Sequence, residues 1–167
     1  IRTLRGAYFA RVKKLVHDAI DFNALQWTQQ SLQDSYEFMR PRLDAYATRL
    51  RILADLTREF GAEPIFVSQP TRHYRITPDS IEGHSNSGSY DGHEYNGVDY
   101  YHMIRQLDGV TEAVATEKGA LFVDLGSHSE WLDTDFYDYS HMTPQGARKV
   151  GILLHEQLQD KVSATGP

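Results

Sequence analysis

The sequence predicts an α/β layered protein built on a parallel sheet. Two short apolar runs, Pro64-Ile65-Phe66-Val67-Ser68 and Ala120 to Leu125, each follow a stretch of helical periodicity closed by a glycine. Strands that read as continuous apolar runs are usually covered on both faces, as in parallel sheets. The third observation is Thr143-Pro144, which opens one more periodic stretch and so adds a helix after the second strand.

Taken in order, Leu4, Tyr8, Val12, Leu15, Val16 and Ala19 recur at helical spacing and predict a first helix from about Leu4 to Ile20. Arg2, Arg5, Arg11, Lys13 and Lys14 fall outside that stripe and read as a solvated face. Residues 23–40 are polar with scattered aromatics, and Trp27, Leu32, Tyr36 and Met39 allow a second helix or a folded crossing loop. Pro41 suits the first turn of a helix whose stripe runs through Leu43, Tyr46, Ala47, Leu50, Leu53, Ala54 and Phe60 to Gly61. The strand around Phe66 follows.

From Thr71 to Gly97 the composition turns to Gly, Ser, His, Asp, Asn and Tyr without helical or alternating pattern, which predicts a long lid-like loop over 71–97. Tyr101, Ile104, Leu107, Val110 and Val114 then mark a helix over Val98–Lys118, ended by Gly119, before the second strand. Ala147, Val150, Gly151, Leu154 and Leu158 form the buried stripe of the last helix. Two strands are few for a stable parallel sheet, so further strands are expected outside the chain or hidden within it.

The length of 167 residues fits a single domain over 1–167. Seventeen basic against 23 acidic side chains leave a net charge of −6. That sign repels a phosphate backbone, and no nucleic-acid partner is expected. The absence of cysteine excludes disulfide scaffolds, thiolate zinc sites and cysteine nucleophiles. No apolar run approaches the ~18 residues of a membrane span.

The chemistry concentrates in Asp138-Tyr139-Ser140-His141-Met142-Thr143-Pro144-Gln145-Gly146, between the last strand and the last helix. Loops beyond the carboxyl ends of strands are where open α/β sheets collect their functional groups. A carboxylate three residues before an imidazole on one tight turn can accept the Nδ1 proton, fix the tautomer and leave Nε2 as a general base. The plainer reading makes Asp138 a turn cap and His141 a residue that happens to precede the helix.

With the strand Phe122-Val123-Asp124-Leu125 before it and Thr143 and Gly146 after it, the Asp138-x-x-His141 block resembles the carboxy-terminal part of the SGNH, or GDSL, hydrolases. Pro64-Ile65-Phe66-Val67-Ser68-Gln69-Pro70 looks like a preceding strand of that family, and the resemblance spans roughly residues 41–160. It implies a three-layer α/β/α, flavodoxin-like fold with a parallel sheet, and ester hydrolysis by a Ser-His-Asp triad without a cofactor. His141 and Asp138 are its catalytic candidates.

The family's Gly-Asp-Ser nucleophile block is missing from the chain, and no Gly-x-Asn lies upstream of Pro64. The expectation is therefore a carboxy-terminal portion, incomplete at its amino terminus, that is inactive alone. Its partners would be a small-molecule, glycan or lipid acyl ester and the amino-terminal half of the same protein. An open sheet edge would also favour pairing with a second copy.

Within the chain, Ser68 at a strand end is the best substitute nucleophile; Ser127 and Ser140 lack a nucleophile elbow. His73, His84 and His93, with Asp79, Asp91 and Glu94, offer metal-ligating side chains at spacings of no established motif. With Tyr74, Tyr90, Tyr95, Tyr100 and Tyr101 nearby, the segment reads as a plain surface loop or as a lid that shapes an acyl or sugar substrate, ahead of a metal site. His17, His102, His128 and His155 read as surface or core-satisfied. Two other classes stay open: a non-catalytic α/β interaction module, and a metal-binding domain using the loop histidines.

Overall fold

The computed structural model describes residues 20–86, 88–128 and 130–163. It is a mixed α/β structure with a small parallel sheet. The helix expected over 4–20 lies outside the described residues, of which Ile20 is the first; its amide donates to the Tyr137 carbonyl at 2.8 Å.

The parallel sheet pairs β2 (Ile65–Val67) with β7 (Leu121–Val123) in the register Ile65↔Leu121, Phe66↔Phe122 and Val67↔Val123. These are the two strands the apolar runs predict. Because side chains alternate along a strand, Phe66 and Phe122 turn to one face, where they join Ala47, Leu50, Ala54, Val114 and Ala115. Val123 turns to the other face, packing with Leu125, Phe22, Trp131 and Phe136 beneath Val150, Leu153, Leu154 and Leu158. Helices α1 (Ser35–Glu59) and α2 (Gly97–Lys118) therefore cover one side, and α3 (Pro144–Ser163) the other.

Helix α1 starts six residues before Pro41, which sits inside it rather than in its first turn. Asp34 explains the earlier start: its carboxylate accepts the amides of Tyr36 and Glu37, satisfying two otherwise orphaned donors. The Arg42 guanidinium donates to the Phe38 carbonyl at 2.6 Å, next to the turn where proline removes a backbone donor. Of the segment 23–40, residues from Ser35 on belong to α1, and before it lie a 3-10 turn at Phe22–Ala24 and the two-residue strand β1 (Trp27–Thr28).

The largest departure from expectation is 71–97. It is not a structureless loop but carries β3 (Tyr74–Ile76), β4 (Ile81–His84), β5 (Gly88–Tyr90) and β6 (His93–Tyr95). Strands β1, β4 and β3 form an antiparallel sheet in that spatial order, with Trp27↔His84 and Tyr74↔Gly83 in register. Strands β5 and β6 form a hairpin closed by Asp91-Gly92, both at positive φ, 52° and 77°. That is the backbone an Asp-Gly two-residue turn favours. Strands of three or four residues are too short to show alternation, so composition alone resembles a loop.

Two glycines set how closely this region packs on α2. A Cβ on Gly83 would lie 2.1 Å from the Val98 amide nitrogen, and one on Gly97 2.1 Å from the His73 carbonyl oxygen. Asn96 caps α2 in a capping box with Asp99. Asp99, fully buried, also accepts the amides of Leu32 and Gln33, so it ties the entrance of α1 to that of α2.

Candidate functional site

The Asp138 to His141 turn is built by its own backbone. Asp138 Oδ1 accepts the amides of Ser140 at 2.9 Å and His141 at 2.8 Å, and Oδ2 lies 2.8 Å from His141 Nδ1. Partial burial works against the Asp138 charge, but the two amides and the imidazole outweigh it and bring the carboxyl down to about 2. A carboxylate accepts only, so Nδ1 carries the proton and Nε2 is the basic nitrogen. The His141 side chain is 67% exposed.

Neighbouring elements fix where this turn lies. The amide of Arg72 and the hydroxyl of Thr71 both donate to the Tyr139 carbonyl, at 2.8 and 2.7 Å. The segment leaving the carboxyl end of β2 is thereby fastened to the Asp138 turn. On the other side, Thr143 caps α3 through the Gly146 amide, and Gly146 lies against the Asp135 carbonyl with no room for a side chain. Asp135 is buried and accepts Leu132 N, Gln145 Nε2 and Lys149 Nζ. Arg72, also buried, ion-pairs with Asp133 and donates to the Trp131 carbonyl.

Ser68 takes a different place from the one a nucleophile needs. Its hydroxyl donates to Asp124 Oδ1 at 2.6 Å and accepts the Gly126 amide at 2.8 Å, with the residue only 4% exposed. Asp124 also binds Arg105 at 2.8 Å and accepts the Ser127 amide. Although burial opposes its charge, these donors hold Asp124 well below the usual carboxylate range. Arg105 bridges on to Asp108. Burial pushes the Asp108 carboxyl up to about 6, against the pull of Arg105. Ser68 thus reads as the buried member of a half-buried network crossing the strand ends, and Ser127 and Ser140 contribute amides to carboxylates.

The loop histidines separate into structural roles. Thr71 spends its one hydroxyl proton on the Tyr139 carbonyl, so His73 Nδ1, 2.7 Å from that hydroxyl, must be the donor. The His73 ring is stacked between Tyr100 and Tyr139, at centroid distances of 4.0 and 4.6 Å. Burial, with His84 nearby, lowers its pKa to about 4. His84 donates from Nε2 to the Arg72 carbonyl and stacks on Trp27, while His93 stacks on Phe38 at 4.0 Å. Among the described residues no three His, Asp or Glu side chains gather to hold a metal ion.

A cavity of about 240 Å³ opens beside the turn, between α1 and α2 at the carboxyl end of β2. Ser68, Thr71, Asp108 and Ser140 supply its polar rim, and Leu50, Phe66, Ile104 and Leu107 its apolar wall. Sequence reasoning missed Thr71, Arg105 and Asp108. The i, i+3 spacing of Arg105 and Asp108 on one helix was a visible signal; their meeting with Asp124 was not. No helix among the described residues is long and apolar enough to cross a membrane. Comparison with protein-family models, with curated proteins and with solved structures finds no match.

Proposed function

We propose that the chain carries the general-base part of a serine-type carboxylic-ester hydrolase of the SGNH kind, with His141 as the base and Asp138 as its orienting carboxylate. The single observation that carries the reading is the 2.8 Å contact from His141 Nδ1 to Asp138 Oδ2 on an exposed turn pinned to the end of β2. In the proposed reaction His141 Nε2 takes the proton of a serine hydroxyl as that oxygen attacks the ester carbonyl. It then passes the proton to the leaving alcohol. Water repeats the sequence on the acyl-enzyme.

The proposal places the serine on polypeptide outside these residues and the sheet in a larger flavodoxin-like one. Two observations support this. Among the described residues β2 is hydrogen-bonded along one edge only, to β7. On the face where Leu121 and Val123 are covered, Ile65 and Val67 remain 46% and 43% exposed.

The test uses the longer polypeptide encoded with these residues and a short-chain aryl ester as substrate. A Gly-Asp-Ser block encoded upstream of Ile1, and loss of turnover on the order of 10⁴-fold in His141→Ala, would support the proposal. Turnover at the wild-type rate in His141→Ala would end it.

A further inference from the structure

A second cavity, of about 350 Å³, lies between α1, α2 and the β5–β6 hairpin. Its floor is apolar, formed by Met39, Met103, Ile104 and Leu107. The hairpin roof is held down by the Arg42–Asp91 ion pair and by Phe38, which meets His93 face to face and Tyr90 edge to face. The volume is at the small end of the ~300–1,000 Å³ typical of ligand sites.

The polar lining of this cavity is one-sided. Tyr90, Tyr95 and Tyr100 line it, and none of their hydroxyls has a hydrogen-bond partner among the described residues. Arg49 lines it as well and, unlike Arg42, has no acceptor among those residues. A guanidinium offers donors only and a phenol hydroxyl readily donates, so these groups together present hydrogen-bond donors and one positive charge beside an apolar floor. Of the two arginines on this lining, Arg42 is matched by Asp91, and Arg49 carries the charge left unmatched.

We infer that this cavity binds an amphiphile with an anionic oxygen head, a carboxylate or phosphate at Arg49 and the tyrosine hydroxyls, and a medium-length apolar tail over Met39, Met103 and Leu107. Tyr46, Tyr100, Ile104 and Leu107 also line the smaller cavity that reaches Ser140, so the two volumes adjoin across one wall. The site needs neither the serine nor the hydrolytic step, and it stands or falls independently of the ester-hydrolase reading.

The probes are decanoate, octyl phosphate and, as the neutral control, 1-decanol, titrated into the purified chain by calorimetry. Methyl signals of Met39 and Met103 labelled with ¹³C report where they bind. Decanoate is expected to move both methyl signals and to bind about tenfold more tightly than 1-decanol, the worth of one charge-assisted contact. Arg49→Ala, an exposed position, should erase that preference, and Met103→Trp should fill the floor and abolish binding of both. Octyl phosphate binding tighter than decanoate assigns the head to phosphate, and the reverse order to carboxylate. Equal affinity for decanoate and 1-decanol, an unchanged preference in Arg49→Ala, or shifts that bypass both methionines would overturn the inference. His141→Ala should bind decanoate like the wild type, so that binding here and ester hydrolysis are tested separately.

Discussion

The Asp138 carboxylate serves two groups at once: Oδ1 accepts the backbone amides of Ser140 and His141, and His141 Nδ1 lies 2.8 Å from Oδ2 and 3.1 Å from Oδ1. One side chain therefore shapes the turn and sets the imidazole tautomer together. Asp138→Asn separates these roles, because an amide oxygen can still cap the turn while its NH₂ group meets Nδ1. The expected result is an Nδ1–H tautomer in the wild type and an Nε2–H tautomer in the variant, read from the ¹⁵N shifts of the imidazole. An Nδ1–H tautomer in both would mean the carboxylate does not orient His141.

Ser68→Ala should destabilise the chain by about 1–3 kcal/mol, since it leaves the buried Gly126 amide without its acceptor and removes one of the donors to Asp124. Urea unfolding measures this as a lower midpoint at unchanged slope. If the proposed hydrolase is correct, the same substitution in it should leave ester turnover within a few-fold of wild type. Loss of activity without loss of stability would make Ser68 the nucleophile.

Acid should weaken the fold through His73. His73 titrates near 6.5 when unfolded and about 4 when folded. Between those values the unfolded chain binds the extra proton, so stability is full above about pH 6.5 and falls as pH drops toward 4. The loss is on the order of 3 kcal/mol by the lower end. Burial shifts His84 in the same direction. Asp108 works in the opposite direction, because its folded carboxyl at about 6 binds a proton that the unfolded chain does not, so the test is a difference: across pH 4–7 urea midpoints should fall more with acid for the wild type than for His73→Asn, whose amide can still donate to Thr71. Parallel slopes would remove His73 from this role.

Gly146→Ala tests how the last helix is seated. The new Cβ would lie 2.2 Å from the Asp135 carbonyl oxygen, so α3 must move away from the turn it follows. A loss of about 1–3 kcal/mol or more is expected. It should be accompanied by shifts of the His141 ring signals, and a variant as stable as the wild type would show that α3 has room to adjust.

The elements legible in the sequence were those whose signal is local. The Val98–Lys118 periodicity and its Gly119 stop correspond to α2 within a residue, and Thr143-Pro144 marks the start of α3. The strand pairs of 71–97 were illegible for the opposite reason. Strands of three or four residues show no readable alternation, and the pairing of Trp27 with His84 joins residues far apart in the chain. Pro41 misplaced the start of α1 because the cap at Asp34 outweighs one lost backbone bond.

By itself the sequence determined that His141 follows Asp138 on a turn before a capped helix, and that two apolar strands lie side by side in an α/β arrangement. Asp138 and His141 are three residues apart, and one turn of chain is enough to bring them into contact. Only the tertiary structure decided that Ser68 is committed to Asp124, that the loop histidines stack on aromatic rings, and that Arg49 shares a cavity with four tyrosines. Those relationships join residues tens of positions apart, and the packing that creates them is a property of the whole core.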